Sequence, residues 1–270
     1  MEIPIEKYQL QPLQPMIITV PLEGVPHGEI TFDLNLCEES QVFGVELEKV
    51  MSRHREKLHG HGLPKVVVDM FNFLSEDLSV TDEGIFRIPG KSDLIVSLKK
   101  LYDKCEDRVV RNFILEQEKA LIQDNESGRA PGMVKVVASL LKEYIRTLPN
   151  PLLTYALYDD FVSLATEKKT DEGLLSLVMK LPPLHQHLLY WLLALMTLIA
   201  SKHEKNKMTA VNLASVVGIN ILKKKDDKKQ AASLESARSE ADRIIRCFEC
   251  LINNYSVLLP HFEKNFTFYK

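Results

Sequence analysis

The 270-residue chain has few cysteines, little net charge and no apolar run long enough to cross a bilayer. Its four cysteines are too few and too scattered for a disulfide framework, so a reducing, cytoplasmic setting is expected. A net charge of −3 gives no global attraction to nucleic acid, so an electrostatic partner must meet a local patch. The first residues lack the features of a secretory signal. The longest apolar run, 188–200, is shorter than the ~20 residues of a spanning helix and predicts a buried core helix.

Common enzyme motifs are also missing. The chain has no Gly-x-Ser-x-Gly elbow and no isolated carboxylate pair for acid–base chemistry. Gly90-Lys91-Ser92 resembles the end of a phosphate-binding loop, but Ile85 stands where such a loop needs a further glycine. Cys247 and Cys250 have no second ligand pair at zinc spacing. The sequence therefore predicts neither a metal site nor a cofactor site in this chain.

What the chain does have is helical periodicity over most of its length. Five prolines and two β-like runs, 16–20 and 30–36, set residues 1–40 apart as an irregular or β-like arm. Apolar spacing over residues 41–265 predicts a single all-α domain of about nine helices, with a charged, mobile insertion at 106–130. The helices are placed at 44–58, 63–78, 92–104, 132–148, 155–166, 171–180, 184–202, 208–218 and 234–256.

Residues 82–90, Asp-Glu-Gly-Ile-Phe-Arg-Ile-Pro-Gly, form the most informative stretch, which we call the Arg87 loop. Two glycines and a proline restrict its backbone, and two apolar residues before Arg87 would anchor it in the core. Arg87 would then project from a stiff support, as the stabilisation of a transferring phosphoryl group requires. The alternative is that Arg87 pairs with Asp82 or Glu83 in the same loop.

The predicted helix at 132–148 has an apolar stripe along one face, formed at spacings of three and four by Val134, Val137, Leu140, Leu141, Tyr144, Ile145 and Leu148. Lys135, Ser139, Lys142 and Arg146 lie on the opposite face at i, i+4, i+7 and i+11, and we call them the polar row. The polar row is either a solubilising surface or a cationic binding face.

A second amphipathic helix begins within residues 206–220. Thr209, Asn212 and Ser215 form a polar strip along it. Because an amide both donates and accepts hydrogen bonds, Asn212 suits recognition of a partner's backbone. The alternative is an ordinary solvated asparagine.

Three blocks of the sequence, in this order, resemble the RhoGAP domain family, the helical module that accelerates GTP hydrolysis by Rho-family small GTPases. Residues 84–87, Gly-Ile-Phe-Arg, resemble the arginine-finger loop of that family. Residues 137–152 resemble its second block, and residues 208–214 followed by 218–220 resemble its third. The resemblance covers about residues 42–260.

The resemblance implies a role for each matching residue. Arg87 would be the finger that enters the nucleotide site of a GTP-bound Rho-family GTPase, and Gly84 would belong to its loop. Lys142 would lie at the GTPase interface, and Arg146 would support the loop. Asn212 would contact the partner near its switch region. The partner would carry GTP, magnesium and the glutamine that orients water, so this chain would act in trans, without a hydrolytic site or cofactor of its own.

The match has two departures, and two other functions stay open. Residues 106–130 are longer than the segment that the family usually has between the finger and the basic helix. Gly218-Ile219-Asn220 stands where the family usually has Gly-Pro-Asn, so the helix end is expected to be looser, while Asn220 is kept as a site residue. A module that binds a GTP-loaded Rho-type GTPase or another signalling partner without accelerating hydrolysis is one alternative. A lipid-directed adaptor that uses the lysines of 223–229 is the other.

Overall fold

The computed structural model describes residues 16–21, 29–34, 41–53, 62–103, 114, 131–165, 170–225 and 234–265. The chain divides into two compact units, 1–40 and 41–270. In the first unit, strand β1 (Met16–Pro21) pairs with strand β2 (Glu29–Leu34) as an antiparallel hairpin. The strands lie on the two β-like runs found in the sequence.

The described part of the second unit is all-α, as the sequence predicts. Its helices are α1 (Leu47–Arg53), α2 (Lys65–Leu74), α3 (Asp77–Val80), α4 (Ser92–Asp103), α5 (Pro131–Thr147), α6 (Tyr158–Val162), α7 (Asp171–Met179), α8 (Pro183–Ser201), α9 (His203–Asn206), α10 (Ala210–Ile221), α11 (Leu234–Asn253) and α12 (Tyr255–Asn265). Two 3₁₀ turns, Tyr155–Leu157 and Ser163–Ala165, flank α6.

The prediction of about nine helices is too low, since twelve lie in the described residues. α3 and α9 have four residues each, which is too short for apolar periodicity to be visible. α12 escaped prediction because Pro260 lies inside it, and a proline usually ends a helix by removing a hydrogen-bond donor. The predicted insertion at 106–130 lies outside the described residues, apart from Ile114, which packs against the core.

The core is built around α8. Trp191 of α8 is 2% exposed and meets Phe71 of α2 edge-on, with ring centroids 5.6 Å apart. Tyr190 stacks on Phe262 of α12 at 4.9 Å. Among the described helices only α8 is long and apolar enough to cross a membrane, yet 61% of that apolar window is buried inside the fold. These contacts confirm the prediction of a core helix.

α10 packs against α5, α8 and α11, which brings the third sequence block beside the second. A Cβ on Gly218 would lie 3.4 Å from the Cβ of Phe248 in α11, so the two helices approach closely there. α10 runs on through Ile221, and Ile219 lies within it with half of its side chain exposed. Ile219 supplies the backbone N–H that a proline lacks, and the expected loosening of this helix end stays a prediction.

Phe248→Ala should lower the free energy of unfolding by about 3–5 kcal/mol, because it opens a cavity between α10 and α11. Urea denaturation followed by circular dichroism measures the loss. Val211→Ala is the control on α10, where the side chain is 49% exposed, and should change stability by less than about 0.5 kcal/mol. Similar losses in both variants would contradict the packing of α10 on α11.

Candidate functional site

The Arg87 loop connects α3 to α4 and is anchored in the hydrophobic core. Ile85 and Phe86 are 0% and 1% exposed, whereas Arg87 lies at the surface. The backbone N–H groups of Arg87 and Ile88 both donate to the Gly84 carbonyl at 2.9 Å and close a tight turn. Two buried side chains thus hold the loop while the arginine points outward, as the sequence predicts.

Two residues of the Arg87 loop have a left-handed backbone: Gly84 at φ +70° and Phe86 at φ +66°. For a residue with a Cβ this conformation costs about 1–2 kcal/mol. The burial of the Phe86 ring and a hydrogen bond from Lys142 Nζ to the Phe86 carbonyl, 2.5 Å, offset that cost. Gly84 is also needed for space, since a Cβ there would lie 2.7 Å from Ile88 Cδ1 and 3.5 Å from Arg87 Nη2.

The polar row of α5 holds the loop along its whole length. Lys135 Nζ lies 2.9 Å from Asp82 Oδ2 at the start of the loop. Lys142 holds the middle through the bond just described, and the Gly90 N–H donates to Ser139 Oγ at 3.1 Å at the end. The interpretation of this row as a solubilising surface is therefore wrong, because the loop covers most of it.

Gly90 lets the end of the loop touch the backbone of α5. A Cβ on Gly90 would lie 2.5 Å from Val136 Cα and 2.6 Å from Val136 N, a separation that real Cβ atoms do not reach. Val136, which lies outside the predicted apolar stripe, is 0% exposed. The glycine thus sets how closely the loop and the helix can approach.

Within the described residues, Arg87 makes no ion pair with the acidic residues of its own loop. The side chains of Lys135 and Asp82 are only 15% and 10% exposed, so their ion pair is shielded from water. The Asp82 carboxylate binds Lys135, and in the described part of the chain Glu83 makes no ion pair with Arg87. The positive charge of Arg87 is therefore not neutralised by the acidic residues of its loop.

The contact with the Arg87 loop that the resemblance implied for Arg146 is made by Lys142. Lys142 contacts the Arg87 loop, and burial together with the nearby Arg146 lowers the pKa of its ammonium. Arg146 is exposed in the last turn of α5, and its guanidinium makes no hydrogen bond or ion pair within the described residues. Lys223 donates to the Arg146 carbonyl, and burial and Arg146 also lower the pKa of Lys223.

The two predicted asparagines, Asn212 and Asn220, differ in burial and in hydrogen-bond partners. Asn212 lies in the first turn of α10, where its N–H donates to the capping Thr209 Oγ1 at 3.3 Å and its Nδ2 donates to the Lys207 carbonyl at 3.1 Å. Asn220 is 7% exposed, and its Nδ2 donates to the Val216 carbonyl of its own helix. Asn212 is partly exposed, whereas Asn220 is buried in the fold.

Sequence reasoning missed Asn206, the last residue of α9. It is 0% exposed, and its backbone carbonyl accepts a hydrogen bond from the Gly84 N–H at 2.8 Å. This bond ties the Arg87 loop to the segment that precedes α10. The only available signal was its position between a helix and the Thr209 cap of the next one.

The assembled site is a fixed cation beside the amide-bearing start of a helix. Within the described residues, no group of three or more His, Cys, Asp or Glu side chains could hold a metal ion. An exposed guanidinium on a preformed loop can form charge-assisted hydrogen bonds to an anionic group on a partner. The fold and the site thus define the class of protein: an all-α domain that carries an exposed arginine, Arg87, on a loop held by a neighbouring helix.

Comparison with known proteins identifies the family. Residues 64–226 match the RhoGAP domain model, so the chain belongs to the RhoGAP domain family. It is 34% identical over 189 residues, 68% of this chain, to Rho GTPase-activating protein 24 of Mus musculus. It is 33% identical over 190 residues, 69% of this chain, to Rho GTPase-activating protein gacJJ of Dictyostelium discoideum. The family predicted from the three blocks is confirmed.

The fold agrees as well. The crystal structure of human Rho GTPase activating protein 15 superposes with a TM-score of 0.60 and 25% identity, covering 82% of this chain and 92% of that chain. The matched region spans only 23% and 19% of the lengths of the mouse and Dictyostelium relatives.

Lys135→Gln should lower the free energy of unfolding by about 1–3 kcal/mol, because it leaves a shielded carboxylate on Asp82 without its partner. Lys180→Gln is the matched control: its ion pair with Asp160 is 55% and 46% exposed, so the change should stay below about 1 kcal/mol. Urea denaturation measures both, and a double-mutant cycle with Asp82→Asn isolates the pair. Equal, small losses would mean that this pair does not hold the start of the loop.

Proposed function

We propose that this chain is a GTPase-activating protein that accelerates GTP hydrolysis by Rho-family small GTPases. The observation that carries the proposal is the exposed Arg87 guanidinium on a loop that α5 holds at its start, middle and end. Arg87 enters the nucleotide site of the GTP-bound partner and stabilises the charge that develops on the transferred phosphoryl group. The names of the relatives, Rho GTPase-activating proteins, support this choice of partner.

Ordering the loop before the partner arrives favours catalysis. Fixing a flexible backbone costs roughly 1–2 kcal/mol per residue, and here the contacts with α5 have already met that cost. An arginine supplied in trans raises hydrolysis by about 10³- to 10⁵-fold, a range taken from Ras and its activator. A rigid loop lets binding energy act on the transition state rather than on ordering the arginine.

The chemistry itself belongs to the partner. The GTPase supplies GTP, magnesium and the glutamine that orients water, and this chain supplies one charge and a docking surface. It is therefore an activator in trans without a cofactor of its own. We assign it to the cytoplasm, in keeping with its four scattered cysteines.

The partner meets a surface made of the Arg87 loop, the start of α10 and the end of α5. Asn212 presents its amide at the start of α10, beside Val211, whose side chain is 49% exposed. Arg146 gives an exposed cation at the end of α5 and suits an acidic group on the partner. Lys142 supports the Arg87 loop through its hydrogen bond to the Phe86 carbonyl and does not contact the partner.

Arg87→Ala should slow single-turnover GTP hydrolysis, measured at saturating activator on a responsive Rho-family GTPase, by at least about 10³-fold. Arg87→Lys should fail too, since an ammonium cannot reproduce the planar fork of a guanidinium. Arg238→Ala, at an exposed arginine of α11, is the control and should keep the wild-type rate.

The same experiment separates the two candidate functions. Wild-type protein that binds the GTP-loaded GTPase without speeding hydrolysis would be a recognition module. Near-normal stimulation by Arg87→Ala would remove Arg87 from the mechanism.

Gly84→Ala should reduce the saturated hydrolysis rate by about tenfold or more, because the new methyl group displaces Ile88 and the Arg87 guanidinium. Gly44→Ala is the matched control. Gly44 has φ +75°, so the backbone cost of about 1–2 kcal/mol is the same, but its Cβ would meet only the Thr147 carbonyl at 3.9 Å. Both variants should lose stability in urea, and only Gly84→Ala should lose rate. A wild-type rate in Gly84→Ala would show that the crowding is harmless.

A further inference from the structure

Asn206 uses every hydrogen-bonding group of its side chain inside the fold. Its Nδ2 donates to the Val80 carbonyl at 2.7 Å and to the Ile199 carbonyl at 2.8 Å. Its Oδ1 accepts from the Met208 N–H at 2.7 Å. An amide has two donor hydrogens and one acceptor oxygen, so the side chain is fully satisfied at 0% exposure.

Two of the bonds made by Asn206 hold the entrance to the Arg87 loop. Val80 is the last residue of α3, and its carbonyl receives the side-chain bond. Gly84 lies within the loop, and its N–H donates to the Asn206 backbone carbonyl at 2.8 Å. Asn206 thus binds the chain at two points just before Arg87, at Val80 and at Gly84. The Lys135–Asp82 ion pair lies between these two points in the sequence.

The other contacts of Asn206 fix the start of α10. The Met208 N–H is bound one residue before the Thr209 cap. Lys207, between Asn206 and Met208, has a left-handed backbone at φ +60°, and its carbonyl accepts from Asn212 Nδ2 at 3.1 Å. The direction of the Asn212 amide therefore depends on the turn that Asn206 closes.

We infer that Asn206 is a positioning residue that holds Arg87 and Asn212 in one fixed relation, so that the catalytic and the binding side chains reach the partner together. The inference rests on the proposed function. Asn206 is buried and acts only through the residues that it orients. Without its amide, the Val80 carbonyl and the Met208 N–H would each lose a buried partner, and the loop and α10 could shift independently.

Two measurements on the full chain test this with a responsive Rho-family GTPase. The single-turnover rate at saturation reports the position of Arg87. The affinity for the GTPase loaded with a non-hydrolysable GTP analogue reports the position of Asn212. Asn206→Ala should slow the rate by about 100-fold, the effect of a displacement near 1 Å, and should weaken binding by about fivefold to tenfold.

Double variants distinguish positioning from a general loss of structure. Asn206→Ala should add nothing to the rate loss of Arg87→Ala, and nothing to the affinity loss of Asn212→Ala, since in each case it acts through the residue already removed. Asn254→Ala is the control, because it removes an amide that donates to the Cys250 carbonyl at 2.8 Å near the end of α11, and it should leave both values within about twofold. If Asn206→Ala does not fold, Asn206→Ser, which keeps a hydroxyl, takes its place.

Each outcome has one meaning. Effects of Asn206→Ala that multiply with those of Arg87→Ala and Asn212→Ala, or wild-type rate and affinity in folded Asn206→Ala, would overturn the inference and leave the proposed function standing. No stimulation by the wild-type chain, or full stimulation by Arg87→Ala, would overturn both.

Discussion

The hydrogen bond from Lys142 to the Phe86 carbonyl is the contact on which the rest of the site depends. It holds Phe86 in a left-handed conformation that a non-glycine residue rarely adopts. At that point the chain turns sharply, so the ring of Phe86 goes into the core and the next side chain, Arg87, goes to solvent. The Lys135–Asp82 and Ser139–Gly90 contacts then fix the two ends, and the loop becomes a part of the α5 surface.

α5 can do this because it is buried on most of its circumference. Its apolar stripe faces the core, as a helical period predicts, and Val136 and Ala138, outside that stripe, are 0% exposed as well. A row of lysines usually keeps a helix face in water. Here Lys135 pairs with the Asp82 carboxylate and Lys142 donates to the Phe86 carbonyl, so the loop covers the face while both ammonium groups keep a hydrogen-bond partner.

Features that depend on residues close together in the sequence could be predicted. Features that depend on contacts between residues far apart in the sequence could not. The apolar stripe of α5, the core helix α8 and the anchored Arg87 loop follow from periodicity and local composition. The partner of Lys135 and the contact of Lys142 with the Arg87 loop depend on where a loop some fifty residues away lies on the helix. Asn206 lies more than a hundred residues from Val80, so nothing local indicated its bonds.

The separation in sequence between the Arg87 loop and its supports has a consequence for the order of folding. Residues 82–90 leave the ribosome before α5, which must follow before the polar row can bind them, and Asn206 comes later still. Contacts between distant segments form after local helices, because the intervening chain must first be closed into a loop. During synthesis the arginine therefore lacks its full set of supports until most of the helical domain has been made, and an incomplete chain ending before residue 206 carries Arg87 in a loop without the Asn206 contacts to Val80 and Gly84.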